Sequence, residues 1–506
     1  MLKLDGRALT VEKVVRVARK GEKVEILPEN RTLVDHSAAV VDGFLRDNKV
    51  VYGITTGFGH FARVMIPTEH VRELQKNLLM SHATGTGPNI GDDQVRAMML
   101  LRINALIKGF SGIRWQTLAR LVDFLNHGIH PLVPQKGSVG ASGDLVPLAH
   151  MSLPLIGMGK VRLGGRIRDA AVVLEELGWK PLILEAKEGL ALINGTQLMA
   201  AVGALNAYDG LILCKTADVS AACSIEALRG TDVPFDSRIH ALRPHPGQVR
   251  AAENIRLLLQ DSEILKSHKA CEKVQDAYSL RCIPQVHGAT RDALRYVTAV
   301  LETEINSVTD NPIIFPETKE SLSCGNFHGQ PVALALDFLG IGVAELANIS
   351  ERRIESLVDP ALSNLPPFLT RDGGLNSGYM ITQYAAASLV SENKVLAHPA
   401  SVDSIPTSAN QEDHVSMGTI AAFKGAEIIQ NVRQVLAIEL LCAAQGLDFI
   451  RQQPGKGVVA AHDLIREHIP SLTHDRIMAY DLQSMSEILF REDMIRAVET
   501  AVGPLH

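Results

Sequence analysis

One short segment of the sequence concentrates glycine around a single serine. The run Gly137-Ser-Val-Gly-Ala-Ser-Gly-Asp144 is centred on Ala141-Ser142-Gly143. Glycine costs backbone entropy on folding, so a run this rich in glycine needs a reason. Three explanations are open: a tight surface loop, a nucleophile elbow of the G-x-S-x-G type, and an electrophile made by the chain. The elbow is disfavoured because Asp144 stands where the last glycine is needed and no parallel-sheet pattern precedes it.

The tripeptide Ala141-Ser142-Gly143 has the chemistry to build an electrophile from the chain itself. In a tight bend, the amide nitrogen of Gly143 can attack the carbonyl carbon of Ala141, and loss of water closes a five-membered ring. Loss of the Ser142 hydroxyl as a second water then leaves an exocyclic methylene, which gives 4-methylidene-imidazol-5-one. Ordinary side chains supply no strong electrophile, so this group would act as a built-in cofactor and no external one is expected.

Six further motifs accompany this segment along the chain. They are Tyr52–Gly59, Ser81–Ala83 with Gly85, Lys187–Thr196, Gln275–Cys282, Gly325–His328 and Ser408–His414. Together the seven motifs resemble, in order, the signature of the aromatic amino-acid ammonia-lyases, and they extend from about residue 50 to 450. Seven motifs in one order are far more specific than any one of them. The resemblance implies deamination of an amino acid to an α,β-unsaturated acid, with the methylidene-imidazolone formed from residues 141–143.

The resemblance also implies which residues handle protons and charge. Tyr278 is expected to act as a base on the β-carbon side, and Tyr52 to handle the amine proton. Asn194 is expected to donate a hydrogen bond to the imidazolone oxygen. Glu412 completes the predicted catalytic set.

Substrate binding is expected to involve five residues. Arg281 would bind the substrate carboxylate through its planar fork, and Gln275 and Phe327 would line the pocket. Glu412 could accept the N–H of an imidazole and His82 could pair with its other edge. A buried carboxylate left unpaired would penalise phenylalanine. We therefore expect L-histidine to be converted to trans-urocanate and ammonia, the first step of histidine degradation.

Each of these residues also has an ordinary structural explanation. Tyr52 could be a core residue, and Tyr278 with Arg281 could be a surface pair on a helix. Glu412-Asp413 could merely begin a helix, since acidic residues favour that end. Gly57-x-Gly59-x-x-Ala62 matches a dinucleotide fingerprint, but no βαβ unit is visible around it. The order of the motifs favours the functional interpretation.

Other functions stay open beside histidine deamination. A phenylalanine or tyrosine lyase or an aminomutase would use the same electrophile, and Glu412 is the best evidence against them. A fumarase-type lyase would carry a flexible serine loop that the sequence lacks. A non-catalytic binding protein would have no chemical need for the motif residues.

Departures from the family pattern are small: Ala277, Ile283, His287 and Cys324.

The elements that must position these residues are mostly helical. Of the 506 residues, 46% are hydrophobic and 21% charged, which indicates a globular chain, and the net charge of −6 argues against nucleic-acid binding. Long helical patterns cover Thr196–Arg229, His287–Thr309, Pro331–Val358 and Asp413–Gln445. They predict a mainly α fold with a central bundle of long helices. The resemblance implies a fumarase/aspartase-like fold and a homotetramer whose active sites draw residues from three subunits.

The N-terminal part has a mixed pattern. Lys23–Leu27 and Val50–Tyr52 are predicted to be short strands, and Gly159–Gly165 a hairpin. We expect three segments: residues 1–190 with the Ala-Ser-Gly loop, residues 191–450 with the long-helix bundle, and residues 451–506 as a C-terminal helical part.

Cysteine spacing and apolar stretches bear on compartment. The six cysteines form no C-x-x-C pair and no zinc pattern, so we expect no metal site, reduced thiols and a cytoplasmic protein. They are Cys214, Cys223, Cys271, Cys282, Cys324 and Cys442. Met1–Lys20 has no apolar segment of the kind a secretory leader needs, so we expect no leader. The uncharged stretch Gly189–Tyr208 is long enough to span a bilayer. It contains Asn194, Gln197 and Asn206, so we expect a buried helix and no membrane partner.

Overall fold

The computed structural model of the protein describes residues 1–268 and 274–506, so Cys271 lies outside the described residues. Within these ranges the chain is dominated by 21 α-helices. They are α1 (Val11–Ala18), α2 (Pro28–Arg46), α3 (Val71–His82), α4 (Asp92–Leu106), α5 (Trp115–His127), α6 (Leu145–Ser152), α7 (Ala170–Glu176), α8 (Glu188–Ile193), α9 (Gln197–Ala227), α10 (Ser237–Ala241), α11 (Pro246–Leu258), α12 (Glu263–Ser267), α13 (Tyr278–Arg281), α14 (Ile283–Glu304), α15 (Gln330–Val358), α16 (Pro360–Ser363), α17 (Met380–Leu396), α18 (Gly418–Leu447), α19 (Lys456–His468), α20 (Met478–Phe490) and α21 (Asp493–Val502).

Short strands form four small sheets in the described part of the chain. The strands are β1 (Leu2–Leu4), β2 (Val24–Ile26), β3 (Thr86–Asn89), β4 (His130–Pro131), β5 (Pro134–Lys136), β6 (Lys160–Leu163), β7 (Arg166–Asp169), β8 (Ile313–Phe315) and β9 (Glu320–Leu322). The β1–β2 pair is parallel, and the pairs β3–β5, β4–β6, β6–β7 and β8–β9 are antiparallel. The predicted strand at 23–27 and the predicted hairpin are both present, and the hairpin continues to Asp169.

The four predicted long helices are α9, α14, α15 and α18, and their boundaries differ from the prediction in two cases. Helix α14 begins and ends a few residues earlier than predicted. Its start is separated by one residue from α13, the short helix Tyr278–Arg281. Helix α18 begins at Gly418 rather than at 413. The backbone before it cannot be helical, because Met417 and residues 408–410 have positive φ angles.

The predicted strand at Val50–Tyr52 is wrong. The N–H of Val51 donates to the Thr55 hydroxyl at 2.9 Å, and its carbonyl accepts from the N–H groups of Ile54 and Thr55. These bonds form a local turn, with Gly53 at φ +68°. A short apolar run does not by itself distinguish a strand from such a turn.

The described residues divide into two compact units. The first unit comprises Met1–Tyr208, Thr298–Asp337 and Pro399–Phe423, and the second comprises Asp209–Val297, Phe338–His398 and Lys424–His506. Four of the five boundaries between them fall within α9, α14, α15 and α18, and the fifth lies in the segment after α17. The three segments expected from the sequence remain a prediction.

The first unit packs its N-terminal helices around buried apolar side chains. Every residue of α4 from Val95 to Leu106 is buried. Val41 and Phe44 of α2 share a cluster with Ile54 and Ile314. Helices α3, α6 and α8 pack on one another. Each adjoins a predicted site residue: α3 ends at His82, α6 follows the Ala-Ser-Gly tripeptide, and α8 precedes Asn194.

The second unit contains charged groups that are fully buried and paired. Arg353 binds Glu439 through Nε at 2.5 Å, and both are without exposed side-chain surface. His287, one of the departures from the family pattern, donates from Nδ1 to Asp218 at 2.7 Å, and Asp218 also binds Arg291. Buried charges are tolerated when each has such a partner.

Two helices, α9 and α15, are long and apolar enough to cross a membrane by length and composition alone. The core helix of a globular protein passes the same test, and 78% of the apolar window of α9 and 67% of that of α15 are buried inside the protein. The uncharged stretch at 189–208 is not one helix. It contains α8 up to Ile193, a junction of three residues that ends at Thr196, and the start of α9, and every residue is buried as far as Ala207.

Candidate active site

The tripeptide 141–143 forms a tight bend immediately before α6. Gly143 has φ +75°, and a Cβ there would lie 2.2 Å from the carbonyl oxygen of Gly195. The N–H of Asp144 donates to the same oxygen at 2.7 Å. Only glycine fits at 143, because both the backbone angle and the close approach exclude a side chain.

Asn194 reaches this bend from the end of α8. Its Nδ2 donates to the carbonyl oxygen of Ser142 at 2.9 Å, and the side chain is 3% exposed. Its Oδ1 has no hydrogen-bond partner among the described residues. A donor amide is thus held against the peptide group that the sequence predicts to react.

Glu412, which lies in the segment before α18, contacts the same serine. The Ser142 hydroxyl donates to Glu412 Oε1 at 2.9 Å, and the Thr407 hydroxyl donates to Oε2 at 2.8 Å. Thr407 and Glu412 also exchange two backbone hydrogen bonds, of 3.0 and 3.3 Å. These contacts close a small loop whose residues Ser408 and Ala409 have positive φ angles. Both carboxylate oxygens are therefore fixed.

Asp144 joins the tripeptide to two long helices. Its Oδ2 accepts from the N–H groups of Leu198 and Met199 at the start of α9, at 2.9 and 3.0 Å. Its Oδ1 accepts from the Thr419 hydroxyl at 2.7 Å. Burial raises the pKa of Asp144 to about 6, and the hydrogen bonds oppose that rise. An anion at the N-terminus of a helix this long is favoured by the helix dipole.

A cavity of about 1110 Å³ in the first unit collects most of the predicted residues. Its walls include six of them: Tyr52, His82, Ser142, Asn194, Phe327 and Glu412. Such a volume holds an amino acid with room for further groups. Cys324, the departure from the family pattern, also lies in the wall.

Tyr52 and His82 are partly buried in this wall. The Tyr52 hydroxyl accepts a hydrogen bond from the N–H of Gly59 at 3.0 Å. Burial raises the pKa of Tyr52, and the charge of Glu412 adds to the rise. Burial lowers the pKa of His82, so its ring is neutral near pH 7.

Three predicted residues lie elsewhere, in the second unit. Tyr278 is 71% exposed, and the guanidinium carbon of Arg281 lies 4.5 Å from the centre of its ring. Gln275 and Arg281 line a separate cavity of about 770 Å³. None of the three is in the wall of the cavity that holds Ser142. Within one chain Tyr278 and Arg281 form a ring–guanidinium pair on α13, and their roles stay predictions.

Some residues that shape the site were missed in the sequence. Thr407 lies outside the quoted motifs, and nothing in its surroundings marks it as the partner of Glu412. Asp144 is inside a quoted motif, but its role as the cap of α9 depends on contacts with distant segments. Arg102 left a signal, a single charge inside the apolar run Met98–Ile103.

The ranges that the structure describes contain neither a metal-ligand cluster nor a disulfide. These ranges contain no group of three His, Cys, Asp or Glu side chains placed to hold a metal ion. The five cysteines they include have free thiols.

Comparison with known proteins assigns the chain to a family. A model of the aromatic amino acid lyases matches residues 9–467. The chain belongs to the aromatic amino acid lyase family. The predicted family and the helical fold are thereby confirmed.

Individual members of this family are similar over the whole chain. A histidine ammonia-lyase of Alkaliphilus oremlandii is 54% identical over 500 residues, which cover 99% of this chain and 98% of the relative. The crystal structure of histidine ammonia-lyase from Trypanosoma cruzi is 43% identical with a TM-score of 0.92, covering 99% of this chain and 95% of that one. A tyrosine aminomutase from Streptomyces globisporus is 39% identical with a TM-score of 0.94, and each chain is covered completely.

Proposed function

We propose that the protein is an ammonia-lyase that converts L-histidine to trans-urocanate and ammonia. The observation that carries the proposal is the contact between Ser142 and Glu412, a fixed carboxylate at the serine of the Ala-Ser-Gly bend. An acidic wall of this kind suits a substrate with N–H groups and not an apolar ring. Full-length similarity to histidine ammonia-lyases supports the same substrate.

The Ala141-Ser142-Gly143 bend fits a methylidene-imidazolone. The bend leaves no room for a side chain at Gly143, so no Cβ shields the amide nitrogen that must attack the carbonyl carbon of Ala141. When formed, the group supplies an electrophile for the substrate amine and so makes it a better leaving group. Its formation makes the chain two water molecules lighter than the sequence mass, which an intact-mass measurement tests.

Asn194 has the position of an oxyanion donor. The carbonyl oxygen of Ser142 becomes the ring oxygen, and the Asn194 amide already donates to it at 2.9 Å. A buried, preorganised donor stabilises negative charge at that oxygen more than water would.

His82 and Glu412 provide complementary groups for an imidazole. Glu412 presents an acceptor, and the neutral ring of His82 presents one donor and one acceptor. Once the Ser142 hydroxyl has left, phenylalanine would leave one oxygen of Glu412 and the free edge of His82 without partners in the cavity, and such a loss rejects an isostere strongly.

Tyr52 is suited to giving a proton rather than taking one. Because burial raises its pKa, its phenol stays protonated at neutral pH. Tyr52 and Ser142 line the same cavity, so we assign the proton given to the departing amine to Tyr52.

Tyr278, Arg281 and Gln275 act in this proposal from a neighbouring copy of the chain. A homotetramer with shared active sites accounts for the 71% exposure of Tyr278, which a base working within its own chain would not need. We further propose a cytoplasmic protein whose partners are its own copies and its small-molecule substrate.

An aminomutase is the second candidate, because a tyrosine aminomutase is similar over its complete chain. Both reactions remove the amine, but a mutase returns it to the β-carbon. Incubation with L-histidine and with L-tyrosine, followed by assay of ammonia and of the unsaturated acid, distinguishes them. Equal amounts of ammonia and urocanate support the lyase, and a β-amino acid without ammonia contradicts it.

A further inference from the structure

Helix α8, which ends beside Asn194, is fixed at its start by a buried ion pair. Lys187 precedes the helix in the left-handed conformation, with φ +71°. Its Nζ donates to Asp310 Oδ2 at 2.9 Å, and the two side chains are 0% and 1% exposed. A six-residue helix has little stability of its own, so such an anchor matters for its position.

A second buried cation holds the other end of α8. Nη1 of Arg102, on α4, donates to the carbonyl oxygen of Asn194 at 2.8 Å and to Gln197 Oε1 at 2.9 Å. Its Nη2 donates to the carbonyl oxygen of Ala191. The last carbonyls of a helix lack partners within the helix, and a cation is favoured there.

The guanidinium spans three acceptors that no smaller cation could reach together. Its planar fork points two nitrogens in fixed directions, whereas a lysine ammonium is a single point charge. The fit is close, because a Cβ on Gly195 would lie 2.6 Å from Arg102 Nη1. Gln197 extends the contact by donating to the Thr309 hydroxyl at 2.7 Å.

The two anchors share one counter-charge. Asp310 pairs with Lys187, and its charge also acts on Arg102. Full burial lowers the pKa of Arg102 to about 10, so it keeps its charge at neutral pH. Arg102 is therefore a permanent, buried cation at the junction that carries the Asn194 amide.

We propose that Arg102 is a positioning residue for Asn194: its fork fixes the main chain at the end of α8 and so keeps the Asn194 amide on the Ser142 carbonyl oxygen. The inference rests on the proposed function, since that oxygen gains importance only if the tripeptide reacts. Arg102 touches neither the tripeptide nor the substrate, and its effect passes through Asn194.

A double-mutant cycle tests this. Arg102→Gln, Asn194→Ala and the double variant are compared with the wild type for kcat and KM with L-histidine. A shift of about 1 Å caused by a mutation away from the reacting atoms can cost about a hundredfold in rate. We expect such a fall in kcat for R102Q with KM little changed, and almost no further fall when N194A is already present. Equal effects of R102Q with and without Asn194 would overturn the proposal.

Conservative and matched variants separate positioning from folding. R102K keeps the charge but loses the fork, so we expect it to be impaired almost as much as R102Q; wild-type activity of R102K would contradict us. Arg96 on the same helix is also buried and donates to the backbone carbonyls of Val17 and Leu125. We expect R96Q to lower stability and leave kcat of the folded protein unchanged.

Two further measurements keep the outcomes distinct. If R102Q does not fold, Gln197→Leu serves instead, because it removes one acceptor of the Arg102 guanidinium and leaves Arg102 in place. The effect of Gln197→Leu on kcat must also vanish when Asn194→Ala is present. The wild type is assayed first. A wild type without urocanate production refutes the proposed function, whereas an active wild type with fully active R102Q refutes only the role of Arg102.

Discussion

Glu412 is the residue on which substrate choice depends most directly. The Thr407 hydroxyl holds one of its oxygens, and the other lies against Ser142, whose hydroxyl leaves when the imidazolone forms, so that this second oxygen can then accept from the substrate. Fixed hydrogen-bonding groups discriminate better than mobile ones, because no partner is free to rotate away from a wrong ligand.

Replacing Glu412 by Gln should weaken use of histidine while preserving the shape of the cavity. A hydrogen bond to a charged group is worth about 1.5–3 kcal/mol, which corresponds to a fall in kcat/KM of about ten- to a hundredfold. Steady-state kinetics measure this. Thr407→Val, which frees only one oxygen of Glu412, should have a smaller effect of the same kind. An E412Q variant with wild-type kcat/KM would show that the carboxylate has no part in recognition.

Single residues could be assigned from the sequence where a motif surrounds them. The motifs predict Ser142, Asn194 and Glu412, and the structure brings all three to one cavity. Arg102 acts through contacts about ninety residues along the chain, and Thr407 through a loop with positive φ angles, and no local pattern encodes either. The motifs also predict Tyr278, whose role stays a prediction.

At the scale of elements, the junction between α8 and α9 is where the site is assembled. Gly195 lies in it with its carbonyl against Gly143, and a Cβ there would be 2.4 Å from Gln197 Oε1. The side chains around this glycine leave no room for a methyl group.

Gly195→Ala should therefore displace Arg102 and Gln197 and lower kcat. Overpacking of this kind costs about 1–3 kcal/mol of stability as well. Gly178→Ala is the matched control: its φ is +69°, but nothing lies within 4 Å of the added Cβ. We expect G178A to lose about 1–2 kcal/mol from backbone strain and to keep its kcat. Steady-state kinetics and urea unfolding measure kcat and stability for the two variants. An unchanged kcat in G195A would contradict the prediction that the added methyl group displaces Arg102 and Gln197.

The burial of Asp144, which caps α9, should make the free energy of unfolding depend on pH. Its folded pKa of about 6 lies above the ordinary value of 3.8, so between these values the folded state binds a proton that the unfolded state has released. The contribution of this group to stability therefore falls as pH rises through that window and is constant above it.

Asp144→Asn should remove this dependence. From pH 5 to pH 7, the free energy of unfolding of the wild type should fall relative to that of D144N by about 1 kcal/mol. Urea titrations of both proteins at the two pH values measure the difference. Parallel behaviour of the two proteins would show that Asp144 titrates normally.

Elements were predictable where a long apolar period dominates. Helices α9 and α15 follow their sequence patterns closely, since many buried side chains specify each of them. The long helical pattern predicts a start at Asp413, yet the chain before α18 turns through positive φ angles and directs Glu412 at Ser142. Tertiary contacts override local preference most often at such sites.

At the scale of the whole molecule, a shared active site makes a prediction about mixed assemblies. Ser142→Ala and Tyr278→Phe should each be nearly inactive alone. If the two residues serve one site from different copies, co-refolded mixtures of the two variants should regain activity, because some sites then combine intact residues.

A matched mixture provides the control. Ser142 and Asn194 line the same cavity of one chain, so mixing Ser142→Ala with Asn194→Ala should restore nothing. Activity in both mixtures, or in neither, would be inconsistent with the sharing of sites between subunits. Sedimentation of each mixture checks that the assemblies formed.

The most direct test of the whole account is a competition assay with equal concentrations of L-histidine, L-phenylalanine and L-tyrosine. Ammonia and each unsaturated acid are measured for the wild type and for Ser142→Ala. We expect urocanate and ammonia in equal amounts from the wild type, traces of the other acids, and no product from S142A. Preferential deamination of phenylalanine or tyrosine, or undiminished turnover by S142A, would contradict the account.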